Sequence, residues 1–211
     1  MNPIEKQFVY DTYNKIAPSF SRTRAYIWPS VKQFLDHVSK NSIILEVGCG
    51  NGKNLNYRTD CFNIGVDLCP EFCKITRDLN IETFIINNKC LSLKDNSVDV
   101  VLSIAVIHHL STDHGRKESI KELIRVLNIG GKAMIQVWAL KQPKNSSRKF
   151  TEGDNLVDFK TNDGSINEKR YYYIFTELAF RNLFNGVENI KIENIYWDWG
   201  NWVAVVEKIA I

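Results

Sequence analysis

Five short apolar runs separated by helix-length stretches constrain this chain more than any other feature. They are IILEV (43–47), FNIGV (62–66), TFIIN (83–87), VDVVLSI (98–104) and KAMIQVWAL (132–140). The clearest helix between them is predicted over Asp113–Leu127. There Ile120, Leu123, Ile124 and Leu127 form an i, i+3, i+4, i+7 stripe, and an IGG triplet follows as a stop. Strands alternating with helices predict an α/β fold whose mostly parallel sheet carries helices on both faces. A further helix is expected over 176–184. After it, NIKIENIYW and NWVAVVEK flank DWGN at the spacing of a C-terminal antiparallel hairpin. Ahead of the first strand, residues 1–40 read as two helices with a broken segment between them.

A chain of 211 residues suits one domain with a single core. The expected organisation is an N-terminal helical cap (1–40), a ligand-binding core (43–140), a basic loop (141–175), and the last helix with its hairpin (176–211). Its 44% apolar content argues against disorder, and the apolar runs fall short of the roughly 20 residues that span a bilayer. No membrane association is expected. The start, MNPIEKQFVYDTYNK, lacks the apolar segment of a secretory signal, so a cytoplasmic location is expected. Five cysteines, at 49, 61, 69, 73 and 90, include no C-x-x-C pair, which predicts reduced thiols and no metal site. The net charge of +3 does not imply nucleic-acid binding by itself. Four cations without an acid in KQPKNSSRKF (141–150) leave two readings open, a solvated loop or a phosphate-contacting one.

The loop after the first strand carries glycines at 48, 50 and 52. In an open α/β sheet, ligands bind beyond the carboxyl ends of the strands, where this loop lies. A dinucleotide loop, G-x-G-x-x-G, would need its third glycine at Lys53 or Leu55. The observed E-x-G-x-G-x-G resembles instead the first motif of class I S-adenosylmethionine (SAM)-dependent methyltransferases, a Rossmann-like superfamily. Asp67, 21 residues after Glu46, closes the second run and could accept from both ribose hydroxyls of such a cofactor. The acid expected after the third strand falls at Asn87, whose side-chain oxygen can still accept. Over about 43–140 the resemblance implies cofactor contacts from Glu46, Gly48, Cys49, Gly50, Gly52, Asp67, Leu68, Asn87 and Ala105.

Outside that core, YNKIAPSFSRTRAYIWPSVKQFL, CGNGKNL, SIAVIHHLST, KRYYYIFTELAFRNLF and GNWVAVVEK resemble the eukaryotic tRNA methyltransferases that esterify 5-carboxymethyluridine at the wobble position. Arg24 and His109 are the catalytic candidates by that resemblance, with Arg24, His108, Trp138, Arg170 and Tyr172 toward the substrate. If the segment after the fourth strand turns helically, His109 faces the cofactor one turn beyond Ala105 and His108 points elsewhere. A carboxylate substrate is already ionised at neutral pH, so positioning groups rather than a general base are expected. The resemblance also implies tRNA and a small zinc-containing activator subunit as partners, the latter pairing as a heterodimer with the edge strand at 82–87. A small-molecule methyltransferase and a non-catalytic SAM-binding scaffold are the alternative readings.

Overall fold

The computed structural model describes residues 1–24, 26–161 and 163–210. Ala25, inside the N-terminal stretch quoted above, Asn162, inside 141–175, and Ile211 lie outside the described residues. A seven-stranded sheet forms the centre, built from Ile43–Val47 (β1), Phe62–Asp67 (β2), Glu82–Ile85 (β3), Val98–Ile104 (β4), Leu127–Trp138 (β5), Ile190–Asp198 (β8) and Asn201–Lys208 (β9). Their order is β3-β2-β1-β4-β5-β9-β8. The first five are mutually parallel, whereas β9 runs antiparallel to β5 and to β8. Strand order reverses between β1 and β4, so the loops after these two strands open onto one crevice.

Alternate residues of each strand feed opposite faces. Leu45, Val47 and Val101 pack with Ile120, Leu123 and Ile124 of helix Asp113–Val126 (α5) on one side. Ile44, Leu102, Met134 and Val203 pack with Val31 and Leu35 of helix Pro29–Asp36 (α3) on the other. The N-terminal segment runs on from Pro3–Glu5 (α1) through a π-helical stretch, Lys6–Asp11, into Thr12–Arg22 (α2). Tyr13, Ile16 and Ala17 of α2 pack against Cys69 and Phe72 at the start of helix Pro70–Arg77 (α4). Among the described residues no helix is long and apolar enough to cross a membrane.

Three expectations are corrected. Strand β3 ends at Ile85, short of the expected 87; its last ladder bond is from the Ile86 N–H to the Asp67 carbonyl of β2. The IGG triplet does not end a helix: α5 stops at Val126, and β5 begins at Leu127 and carries Gly130–Gly131 in a bulge, with Val98 opposite Leu127 and Val100 opposite Lys132. Residues 141–175 are not a plain basic loop. They include an antiparallel hairpin of Gly153–Lys160 (β6) and Asn167–Ile174 (β7), which puts the tyrosine run in a strand. The hairpin docks at the end of β5, where Tyr172 and Ile174 cluster with Trp138 and Phe175 bridges Ala139. The helix expected over 176–184 forms as Glu177–Arg181 (α6) and a 3-10 turn, Asn182–Phe184. The terminal hairpin closes through Trp199 and Gly200, both at positive φ, the two-residue turn that suits strand twist.

Candidate active site

Above the carboxyl ends of β1, β2 and β4 lies a cavity of about 470 Å³, within the range that holds small cofactors. The first wall is the glycine loop. Gly48 has φ +77°, and a Cβ there would sit 2.4 Å from a methyl of Val106, so no other residue fits. Gly50 has φ +55° and faces open space, with no protein atom within 4 Å of where a Cβ would be. That bare surface is a cradle a ligand can fill. Gly52 turns away and packs toward Thr76 rather than lining the cavity.

Two carboxylates border this end. Glu46 is 1% exposed, and one oxygen accepts from the Asn54 amide at 2.6 Å while the other has no partner among the described residues. Burial pushes its carboxyl up to about 8, against the Asn54 bond and the Lys53 charge. A cationic group would supply the missing partner. Asp67 accepts from the Gly50 and Cys69 N–H groups, both at 2.9 Å, and burial raises its carboxyl despite these bonds. A carboxylate has about four lone-pair sites, so two remain for a pair of ligand hydroxyls. Leu68, Cys49, Asn87 and Ala105 also line the cavity. The Asn87 side-chain oxygen accepts from the Lys89 N–H at 3.0 Å, and Ala105 holds a strained φ of +61°. These residues fit the donor set of SAM: an acid for its ammonium, an acid for its ribose and bare backbone between.

The N-terminal segment forms the roof. Glu5, 6% exposed, accepts from the Ser111 N–H and hydroxyl, and from Lys89 at 3.3 Å. Burial alone would raise its carboxyl, but the Ser111 and Lys89 contacts outweigh that and hold it below the ordinary value.

At the other end the two histidines occupy a 3-10 turn, Ile107–His109, and both line the cavity, so His108 does not point elsewhere. His109 is held at both nitrogens. Its Nδ1–H donates to the Tyr171 carbonyl at 2.7 Å, and its Nε2 accepts from the Tyr13 hydroxyl at 3.0 Å. Tyr13 accepts in turn from Tyr172 at 3.2 Å, and Tyr172 accepts from Arg170 at 2.9 Å. Burial brings His109 down to about 3, so it stays neutral. His108 is fully buried, and its Nδ1 accepts the Trp138 N–H at 3.1 Å. The proton is therefore on Nε2, which has no partner among the described residues. Burial keeps this ring neutral too.

Arg24 lines the cavity, its side chain donates to Thr23 alone among the described residues, and it lies 4.7 Å over the Phe20 ring. Trp138 and Tyr172 line it as a stacked pair, 4.1 Å apart and 12° from parallel. Arg170 is corrected: it is 5% exposed, lies behind Tyr172 and does not reach the cavity. Residues that sequence reading missed are Tyr13, Asn54 and Arg148. Tyr13 lies inside the quoted YNKIAPSF stretch, and Asn54 follows Glu46 by eight residues. No local signal marks either as a partner of His109 or Glu46.

Comparison with known proteins gives the same fold. The methyltransferase domain family model matches residues 45–135. A SAM-dependent methyltransferase of Methanosarcina mazei superposes with TM-score 0.69 at 18% identity, covering 88% of this chain and 99% of that one. A methyltransferase solved in complex with the Haloferax volcanii Trm112 methyltransferase activator gives 0.70 at 16%, covering 96% and 98%. The tRNA (carboxymethyluridine(34)-5-O)-methyltransferase of Schizosaccharomyces pombe is 34% identical over 97% of this chain and 97% of its own length. The chain spans 41% and 35% of the length of two longer curated relatives of the same kind. With a full-length relative at this identity, and a SAM-dependent methyltransferase fold to match, the chain belongs to the tRNA (carboxymethyluridine(34)-5-O)-methyltransferase family.

Proposed function

We propose that this chain transfers the methyl group of SAM to the carboxylate of 5-carboxymethyluridine at the wobble position of tRNA. The observation that carries this reading is one cavity with two chemically opposite ends. Glu46, Asp67 and the bare Gly50 backbone suit a cationic, ribose-bearing cofactor, whereas the His108 Nε2–H and Arg24 suit an anion. When bound, SAM supplies a methyl on cationic sulfur, to which a carboxylate oxygen bonds as the carbon–sulfur bond breaks with its electron pair on sulfur. No proton moves, so no general base is needed, which accords with two histidines held neutral. His108 donates to the carboxylate oxygen that does not react, and Arg24 holds the anion in line. His109 and Tyr13 fix the floor on which Tyr172 and Trp138 stand.

The reading includes a cytoplasmic place of action, supported by five unpaired thiols, and an activator subunit docked on β3. Support for the docking is an uncovered edge strand with Phe84 and Ile85 about half exposed, together with the activator in the archaeal complex. The test is methyl transfer from labelled SAM to tRNA carrying the carboxymethyl group, with release of the label by mild alkali as the signature of an ester. Label that resists alkali, or that appears equally on tRNA lacking the carboxymethyl group, refutes it.

A further inference from the structure

At the substrate end the guanidinium groups of Arg24 and Arg148 line the cavity and a third, that of Arg170, is buried behind Tyr172, with no carboxylate paired to any of them among the described residues. Arg24 rests on Phe20, and Arg170 lies 5.8 Å from the same ring and 5.3 Å from Tyr172. Tyr172 stacks on Trp138, and the guanidinium of Arg148 lies 4.4 Å over the Trp138 indole. None of the three forms an ion pair among the described residues. Arg170 donates from its terminal nitrogens to the Tyr172 hydroxyl and the Asp158 carbonyl, and its Nε has no partner among the described residues. Arg148 lines the cavity from the 141–150 stretch and remains reachable from solvent, and its side chain donates no hydrogen bond among the described residues. Desolvation against the indole, then the Arg24 and Arg170 charges, pull its guanidinium below the ordinary value, with Tyr172 opposing. Cations brought together without an acid repel one another until an anion arrives. A guanidinium fork matches the plane of a carboxylate.

We propose that Arg148 is a specificity-determining residue: with Arg24 across the cavity mouth, it reads the negative charge of the substrate carboxylate. This rests on the function proposed above. Two consequences follow. The carbamoylmethyl analogue, an uncharged isostere of the substrate, is rejected because it leaves the guanidinium charges unmatched. The methyl ester is released for the same reason, since esterification removes the charge that held the base. A backbone phosphate is the competing anion for Arg148, and it would make binding indifferent to the uridine side chain.

The experiment uses the full chain co-purified with a Trm112-type activator and saturated with S-adenosylhomocysteine. It compares dissociation constants for three tRNAs that differ only in carrying carboxymethyl-, carbamoylmethyl- or methoxycarbonylmethyl-uridine. The wild type is expected to favour the carboxymethyl form by on the order of tenfold, the effect of one charge-assisted hydrogen bond. Arg148→Gln should abolish most of that preference while leaving affinity for the two neutral forms unchanged, and Arg148→Lys should restore part of it. In turnover the same variant should raise KM with little change in kcat. Equal weakening toward all three tRNAs identifies a phosphate contact and overturns the proposal, as does a wild type without preference. A parallel methyl-transfer assay separates the two readings. Ester formed without charge preference sinks only the role of Arg148, whereas no ester at all sinks the function and this role together.

Discussion

Cofactor binding should be coupled to ionisation of Glu46. In the empty site burial holds this carboxyl up to about 8, so it is protonated at pH 6. Binding the ammonium of SAM requires the carboxylate, because only the anion compensates a buried cation. Two pH units below its pKa, about 1% of the side chain is ionised, which weakens binding about 100-fold, or roughly 3 kcal/mol at 1.36 kcal/mol per unit. Affinity should therefore rise nearly tenfold from pH 6 to 7, with about one proton released per cofactor bound. Above about pH 8 the α-amino group, with a pKa of about 7.7–8.0, loses its own proton and affinity should fall again. Isothermal titration calorimetry in buffers of different ionisation enthalpy counts the protons directly. Glu46→Gln keeps the size and a partner for Asn54 but cannot ionise, so its rising limb should vanish. The sign also constrains stability. A carboxyl raised from 4.5 to about 8 by folding makes the ligand-free fold lose stability as pH rises between those values. Wild-type affinity that stays flat from pH 6 to 7.5, without proton release, refutes the assignment of Glu46.

Four other perturbations have defined outcomes. Gly48→Ala should abolish SAM binding and destabilise the fold by about 1–3 kcal/mol in a thermal melt, since φ is +77° and Val106 blocks the new methyl. His108→Gln should lower kcat for ester formation by about tenfold to a hundredfold with SAM affinity unchanged, whereas Tyr13→Phe should act mainly on stability. The latter leaves His109 Nε2 without its donor and the Tyr172 hydroxyl without an acceptor, at a cost of about 1–3 kcal/mol by denaturant unfolding. Glutamate at Phe84 or Ile85, about half exposed on β3, should weaken co-purification with the activator by at least about tenfold and leave the isolated fold intact.

Much of the cofactor end was legible because its signals are local. Three glycines after a strand and an acid ending the next strand are each read within a few residues, and the sheet brings their loops together. Substrate-end geometry was less legible because it depends on contacts between distant segments. His108 and His109 are neighbours in sequence, yet their roles are set by the Trp138 N–H, the Tyr171 carbonyl and the Tyr13 hydroxyl. Arg170 is expected toward the substrate, beside the tyrosine run. It is buried because β7 turns it toward Phe20 and Phe159. The β6–β7 hairpin escaped notice because charges punctuate both strands, and the tyrosine run lacks the alternation that marks a strand. Gly130 and Gly131 read as a helix stop when they mark a bulge, which is the usual ambiguity of glycine between termination and close backbone approach.

The most direct measurement is nucleoside mass spectrometry of tRNA after incubation with the chain, a Trm112-type activator and SAM. On tRNA carrying 5-carboxymethyluridine, the wobble nucleoside should convert to its methyl ester, and Asp67→Ala should prevent the conversion along with SAM binding. Carboxymethyluridine that remains unconverted, although the same preparation binds SAM and that tRNA, would contradict the assignment of this cavity to carboxyl methylation.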